Sequence, residues 1–294
     1  MGVFLVVLGG IFWAVSGVLA EYLFENHYSV EWVSFYRLFC TGILLIIVSL
    51  KRFEWQIFTQ KSHLLSLLTY AFFGLLLTQY GYFKAIFYTD AGTATMIQYS
   101  APLIIMLFLC FKNKILPKKL EVLALILILS ALFLIATGGN LSEFKISFWG
   151  IFWALAGAFG VAFYSLCARS IIEKYGIFLL MGWASLIASG ILLILLLGKI
   201  PSYDFDLKGY LAMAGIIFIG TIGAFCLYLK GVEYIGALRA SMIACIEPVA
   251  AAFMSYFFLK TQYSFLELFA FSLIIISVFL NAMKVKPKID QSLL

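Results

Sequence analysis

The chain has 294 residues, of which 64% are hydrophobic and only 12% charged. A soluble domain carries about 25% charged residues, so this composition excludes a large soluble domain, and 294 residues are too many for a single membrane span. The net charge of +6 fits basic loops on the cytoplasmic face of a membrane and not nucleic-acid binding.

A hydrocarbon core of about 30 Å takes roughly 20 helical residues to cross. Ten apolar segments reach that length. The sequence predicts spans at 3–24, 30–50, 64–88, 91–111, 120–138, 147–168, 177–197, 209–231, 236–258 and 264–283. The first has no basic leader and no clear cleavage site, so it reads as a retained span. Basic or Gly/Asn-containing breaks separate the rest, among them Lys51-Arg52, Lys112 to Lys114, Gly138 to Asn140 and Lys260 to Gln262. Residues 284–294 form a polar tail, expected to be disordered and cytoplasmic. The fold expected is all-α and integral to the membrane, with ten transmembrane helices.

Those ten spans fall into two sets of five. Residues 74–121 recur at 220–267, displaced by 146 positions. Matched pairs include Gly74/Gly220, Tyr82/Tyr228, Lys84/Lys230, Ala94/Ala240, Met96/Met242, Pro102/Pro248 and Glu121/Glu267. The expected units are 1–140 and 146–283. Five is odd, so the second unit must cross the membrane inverted relative to the first. The charges agree with a cytoplasmic N-terminus. Loops 51–63, 112–119 and 169–176 and the tail hold Lys51, Arg52, Lys61, Lys112, Lys114, Lys118, Lys119, Arg169, Lys174, Lys284, Lys286 and Lys288. The opposite side holds Glu21, Glu25, Glu31, Asp90, Glu143, Asp204 and Asp206 against only Lys145, Lys199, Lys208 and Lys260. This bias places both termini in the cytoplasm. Inverted repeats in a membrane protein are a mark of secondary transporters.

Tyr82-x-x-Ala85, Asp90-Ala91-Gly92 and Ala101-Pro102 resemble the EamA repeat of the drug/metabolite transporter superfamily. The run from Tyr228 to Ser241, followed by Glu247-Pro248, resembles that family's second repeat, and Trp13 and Arg37 match positions the family favours. The resemblance covers nearly all of residues 1–283. It implies ten helices around an internal cavity, and movement of small metabolites, often amino acids and commonly outward, across the cytoplasmic membrane. A lipid-linked flippase or a facilitator could use the same fold. An intramembrane enzyme or assembly subunit would need convergent acid, base or nucleophile groups, and none is evident beyond Glu247.

Glu247 lies near the midplane of the ninth span, where an isolated acid costs about 2.5–3.5 kcal/mol. It is therefore expected to face a cavity, either contacting a substrate cation or proton or bracing helices. Arg37, Lys84, Lys230, Gln79, Gln98, Tyr82, Tyr99, Tyr164 and Tyr228 are further polar groups within spans, and Trp13 and Trp183 could supply aromatic walls. A zwitterion could set its ammonium on Glu247 and its carboxylate toward Arg37, Lys84 or Gln98. Pro102 and Pro248 free the carbonyls of Gln98 and Ala244, either as packing kinks or as gate hinges. Glu21 could pair with Arg37 at an outer gate. Spans 5 and 10 offer a cavity almost nothing polar and are expected at the periphery.

Cys40, Cys110, Cys167, Cys226 and Cys245 lie in apolar runs without a CxxC pair, and His27 and His63 fall in loops. Neither a metal site nor a disulfide is expected. No Gly-rich nucleotide loop or catalytic triad appears, so neither enzyme activity nor a cofactor is expected. The expected partners are a small-molecule substrate and the bilayer, with a homodimer also admitted.

Overall fold

The computed structural model describes residues 1–49, 56–89, 91–137, 147–197, 199, 206–259 and 262–282. The tail 284–294, Asp90 and the loop at 138–146 lie outside them. All secondary structure in the described residues is helical. In chain order the long helices are α1 (Gly2–Glu25), α2 (Val30–Ser49), α3 (Lys61–Tyr88), the two-part α4 (Ala91–Gln98, then Ala101–Asn113) and α5 (Lys119–Thr137). The second set is α6 (Phe148–Cys167), α7 (Ile177–Leu195), α8 (Leu207–Ile235), the two-part α9 (Ala237–Ala244, then Glu247–Leu259) and α10 (Phe265–Ala282). Among the described residues nine helical stretches are long and apolar enough to cross a bilayer. The 19-residue α5, Lys119–Thr137, stands where the fifth span is expected. Short helices at Gln56–Thr59 and Arg169–Tyr175 lie between spans.

The packing has a two-fold pattern. α1 packs on α8 and α3 on α6, while α2 pairs with α7 and α5 with α10. Exchanging the first five helices for the last five turns the first pair into the second and leaves the other two unchanged. Lipid gives no hydrophobic drive between helices, so close contact of small residues must hold them. A Cβ on Gly9 of α1 would lie 3.1 Å from the Ala224 carbonyl of α8, and one on Gly81 of α3 would lie 3.1 Å from the Trp153 carbonyl of α6. The tight α8–α9 turn needs Gly236, whose φ of +82° and ψ of 157° suit only glycine.

Helix direction alternates, giving the molecule two unlike ends. One end carries Lys61, Lys112, Lys114, Lys118 and Lys119, and there Gly2 meets Tyr234 and Ile235. The other carries Glu21, Glu25 and Glu267. α5 and α10 form an outer pair, joined by a bond from Ser277 Oγ to the Ala124 carbonyl at 2.9 Å.

Candidate functional site

Two kinds of helix irregularity build the site, each present in both halves. The first is the break at a proline. Pro102 and Pro248 cannot donate to the preceding turn, so α4 breaks at Tyr99-Ser100 and α9 at Cys245-Ile246. The Ala244 carbonyl freed by Pro248 accepts from Tyr99 Oη at 3.1 Å. Tyr99 Oη also lies 2.5 Å from Glu247 Oε2. The break in one half is thereby tied to the break in the other.

The second irregularity is a stretch of π-helix, at Tyr70–Leu76 in α3 and at Ile216–Gly223 in α8. The two begin 146 positions apart, as the repeat does. Such wide turns mark functional positions in many helices. In α8 the wide turn exposes polar groups to Arg37, which is 5% exposed. Arg37 Nε donates to Thr221 Oγ1 at 2.7 Å and its Nη2 to the Gly220 carbonyl at 3.2 Å. Thr221 donates in turn to the Ile216 carbonyl at 2.8 Å. The guanidinium sits 5.3 Å from the Phe83 ring centre.

These elements enclose a central cavity of about 80 Å³. Of the residues singled out from sequence, Trp13, Arg37, Gln79, Tyr82, Gln98, Tyr99, Pro102, Tyr164, Tyr228 and Glu247 line it. Both amide atoms of Gln79 are buried without a hydrogen-bond partner, as is Thr78 Oγ1. A buried polar group left unpaired costs about 1–3 kcal/mol, which a bound polar solute would recover. Ser16, Gly17, Thr78, Phe83, Phe225 and Ser241 also line the cavity and carry no sequence signal, being small or apolar like most of their neighbours.

The cavity is shut toward the lysine-rich end. Tyr164 and Tyr228 are 1% and 0% exposed. Tyr228 Oη and Ser165 Oγ share a hydrogen bond of 2.9 Å, and the Trp13 ring lies 5.1 Å from those of Tyr228 and Phe225. Toward the glutamate-lined end a wider vestibule of about 460 Å³ follows, sharing Gly17, Tyr82 and Glu247 with the cavity. Glu21, Glu25, Pro248 and Glu267 line it.

Several expected contacts are not brought to the cavity. Lys84 forms an ion pair with Glu31 and lies over the Tyr80 and Phe87 rings. Its repeat counterpart Lys230 pairs with Glu233 at 2.5 Å, at the opposite end. Both lysines sit close enough to a helix end to satisfy their charge locally. Trp183 packs edge-on against Phe58, 4.7 Å between centres. The Glu21–Arg37 pair is not made. Glu21 lies in the vestibule, while Arg37 is held one layer deeper by the wide turn of α8. α5 and α10 contribute nothing to the cavity and reach only the vestibule, through Leu132, Ile135, Glu267 and Phe271. Among the described residues no group of three His, Cys, Asp or Glu side chains could hold a metal ion.

The site therefore offers one carboxyl group, one guanidinium and two neutral amides between aromatic walls, in a cavity open to one side of the molecule. Comparisons with known proteins fit this geometry. The model of the EamA-like transporter family matches residues 1–137 and 148–283. The chain is 31% identical over 284 residues, 95% of its length and 94% of the relative's, to the uncharacterized inner membrane transporter YicL of Salmonella typhimurium. It also superposes on a crystal structure with a TM-score of 0.79, over 96% of both chains at 16% identity, a likeness of fold.

Proposed function

Because the chain belongs to the EamA-like transporter family, we propose that it is a secondary transporter of a small zwitterionic metabolite, an amino acid or similar amphipathic solute. It works by alternating access between two inverted five-helix repeats, 1–140 and 146–283, in the cytoplasmic membrane with both termini inside. Outward movement is the direction the family resemblance implies. The observation that carries the reading is the placement of Glu247 and Arg37 in one cavity with the unpaired amide of Gln79. A zwitterion sets its ammonium on Glu247 and its carboxylate toward Arg37 and Gln79, and its side chain lies against Trp13, Tyr82 and Phe225. The vestibule is the open route, and the Tyr164–Tyr228 lid is the closed one. Rocking of the repeats about the breaks at Pro102 and Pro248 would exchange them.

Reconstituted vesicles test this. The wild type should exchange radiolabelled amino acids. Glu247→Gln keeps size and hydrogen bonding but removes a charge-assisted contact worth about 1.5–3 kcal/mol, so apparent affinity should fall roughly tenfold to a hundredfold. If the variant transports normally at every pH, Glu247 is structural and the charge-based site is wrong.

A further inference from the structure

We infer that the turn between α4 and α5 is a binding site for an anionic phospholipid headgroup. The site lies at the lysine-rich end and does not depend on what the central cavity carries.

Geometry fixes the depth of this turn. Ala94–Asn113 is a 20-residue span, and at about 1.5 Å per residue it covers about 30 Å, the thickness of the hydrocarbon core. α5 starts back at Lys119. Only residues 114–118 join the two helices, about 17 Å fully stretched, too short to leave the membrane surface and return. Side chains on the turn therefore lie at the level of the lipid phosphates.

The backbone of the turn is held at both sides. Lys114 adopts a left-handed conformation, φ 52° and ψ 37°, and its N–H donates to the Cys110 carbonyl, closing α4. The Lys118 N–H donates to Glu121 Oε2 at 3.1 Å, capping α5.

That shape displays two kinds of group. Lys112, Lys114, Lys118 and Lys119 are all exposed. Among the described residues none of the four makes an ion pair, whereas Lys84 and Lys230 each hold a glutamate. Beside these lysines Phe111, Ile115 and Leu116 are 81%, 68% and 87% exposed. Apolar side chains at this depth sink toward the acyl chains while the ammonium groups reach the phosphates. A zwitterionic headgroup carries no net charge to offset four lysines, and an anionic one does.

The second repeat is built differently. At the same places, 146 positions on, it has Phe258, Lys260, Ser264 and Phe265, one lysine against four. Orienting the chain at insertion needs the lysines alone. The held backbone and the outward apolar side chains add what a headgroup site requires.

Native mass spectrometry of the purified, delipidated full chain reads this without a transported substrate. The chain is offered phosphatidylglycerol and phosphatidylcholine with the same acyl chains. One lysine near an anionic surface is worth about fivefold in affinity, so phosphatidylglycerol should be preferred by at least about tenfold. Lys112→Gln, Lys114→Gln, Lys118→Gln and Lys119→Gln together should abolish the preference. Because that variant could insert upside down or fail to fold, Ile115→Ser with Leu116→Ser keeps every charge in place. It should hold phosphatidylglycerol several-fold more weakly than the wild type. Equal retention of the two lipids by the wild type overturns the inference. So does a preference that survives both variants, or one that falls as far when Lys61 and Lys174 are replaced instead. Glycerol phosphate has the charge of the headgroup without acyl chains and should not displace the lipid. Displacement overturns the lipid assignment in favour of a soluble phosphate.

Discussion

Tyr82 and Tyr228 are the same residue of the repeat in opposite situations. Tyr228 is fully buried, bonded to Ser165 and wedged among Trp13, Tyr164 and Phe225. Tyr82 is only partly buried, bonded to Thr95 at 2.9 Å and set at the rim of the vestibule. Related sequence thus closes one end of the molecule and leaves the other open. If the repeats alternate as proposed, the asymmetry belongs to the conformation as well as to the chain, and in the alternate state Tyr82 would be the wedge and Tyr228 the rim.

The hardest way to break this comparison is to block the passage where the two spaces meet. A side chain added at Gly17 would meet nothing within 4 Å, and Gly17 lines both cavity and vestibule. Gly17→Phe should reduce transport to background with the fold intact, while Gly17→Ala should transport normally and stabilise α1 by about 0.5–1 kcal/mol. Vesicle flux and thermal unfolding check both.

A second variant compares the two wide turns. The one in α8 is held by Arg37, so Arg37→Lys should loosen it. Loss of the two-point guanidinium hold should cost about 1.5–3 kcal/mol, read by thermal unfolding, with flux reduced as well. A stability equal to wild type would show that the hold does not brace the helix.

Tyr228→Phe removes the bond to Ser165 and should weaken the lid by about 1 kcal/mol. The population open at the lysine-rich end should rise roughly fivefold, measured by thiol labelling of a cysteine placed at Ser241, which lines the cavity, in a chain whose native cysteines are replaced. Tyr82→Phe should change that labelling little. Equal effects would remove the distinction between a closed and an open end.

The smallest effect is expected at the paired lysines. Lys84→Ala and Lys230→Ala each break an ion pair near a helix end, and such pairs are worth about 0–1 kcal/mol. The Lys84–Glu31 pair is the better covered, at 17% and 23% side-chain exposure against 47% and 22% for Lys230–Glu233, so it should matter more. Transport should survive both changes in vesicle assays.

What could be read from sequence follows a physical division between depth and direction. Hydrophobic length gives the depth of a residue, so α1 was expected at 3–24 and stands at Gly2–Glu25, and Glu247 was expected near mid-membrane, where α9 breaks. Which way a side chain points around its helix depends on neighbours that a single sequence does not reveal. Lys84, Lys230 and Trp183 had the chemistry of cavity residues but turn elsewhere, whereas Gly17 and Thr78 turn inward without distinctive chemistry. The wide turns in α3 and α8 were illegible for another reason. Their extra residue leaves composition unchanged, and only glycines, Gly74 in one and Gly220 and Gly223 in the other, hint at relaxed packing.

Those two turns also carry a date. A π-helical stretch needs one residue more than the α-helix it interrupts, and here it begins at matching places in both copies. One insertion before the gene doubled explains the match more simply than two afterwards. On that account the ancestor would be a five-helix chain that already had its bulge. If the halves are inverted as proposed, that chain would have had to pair with a copy of itself inserted the other way up.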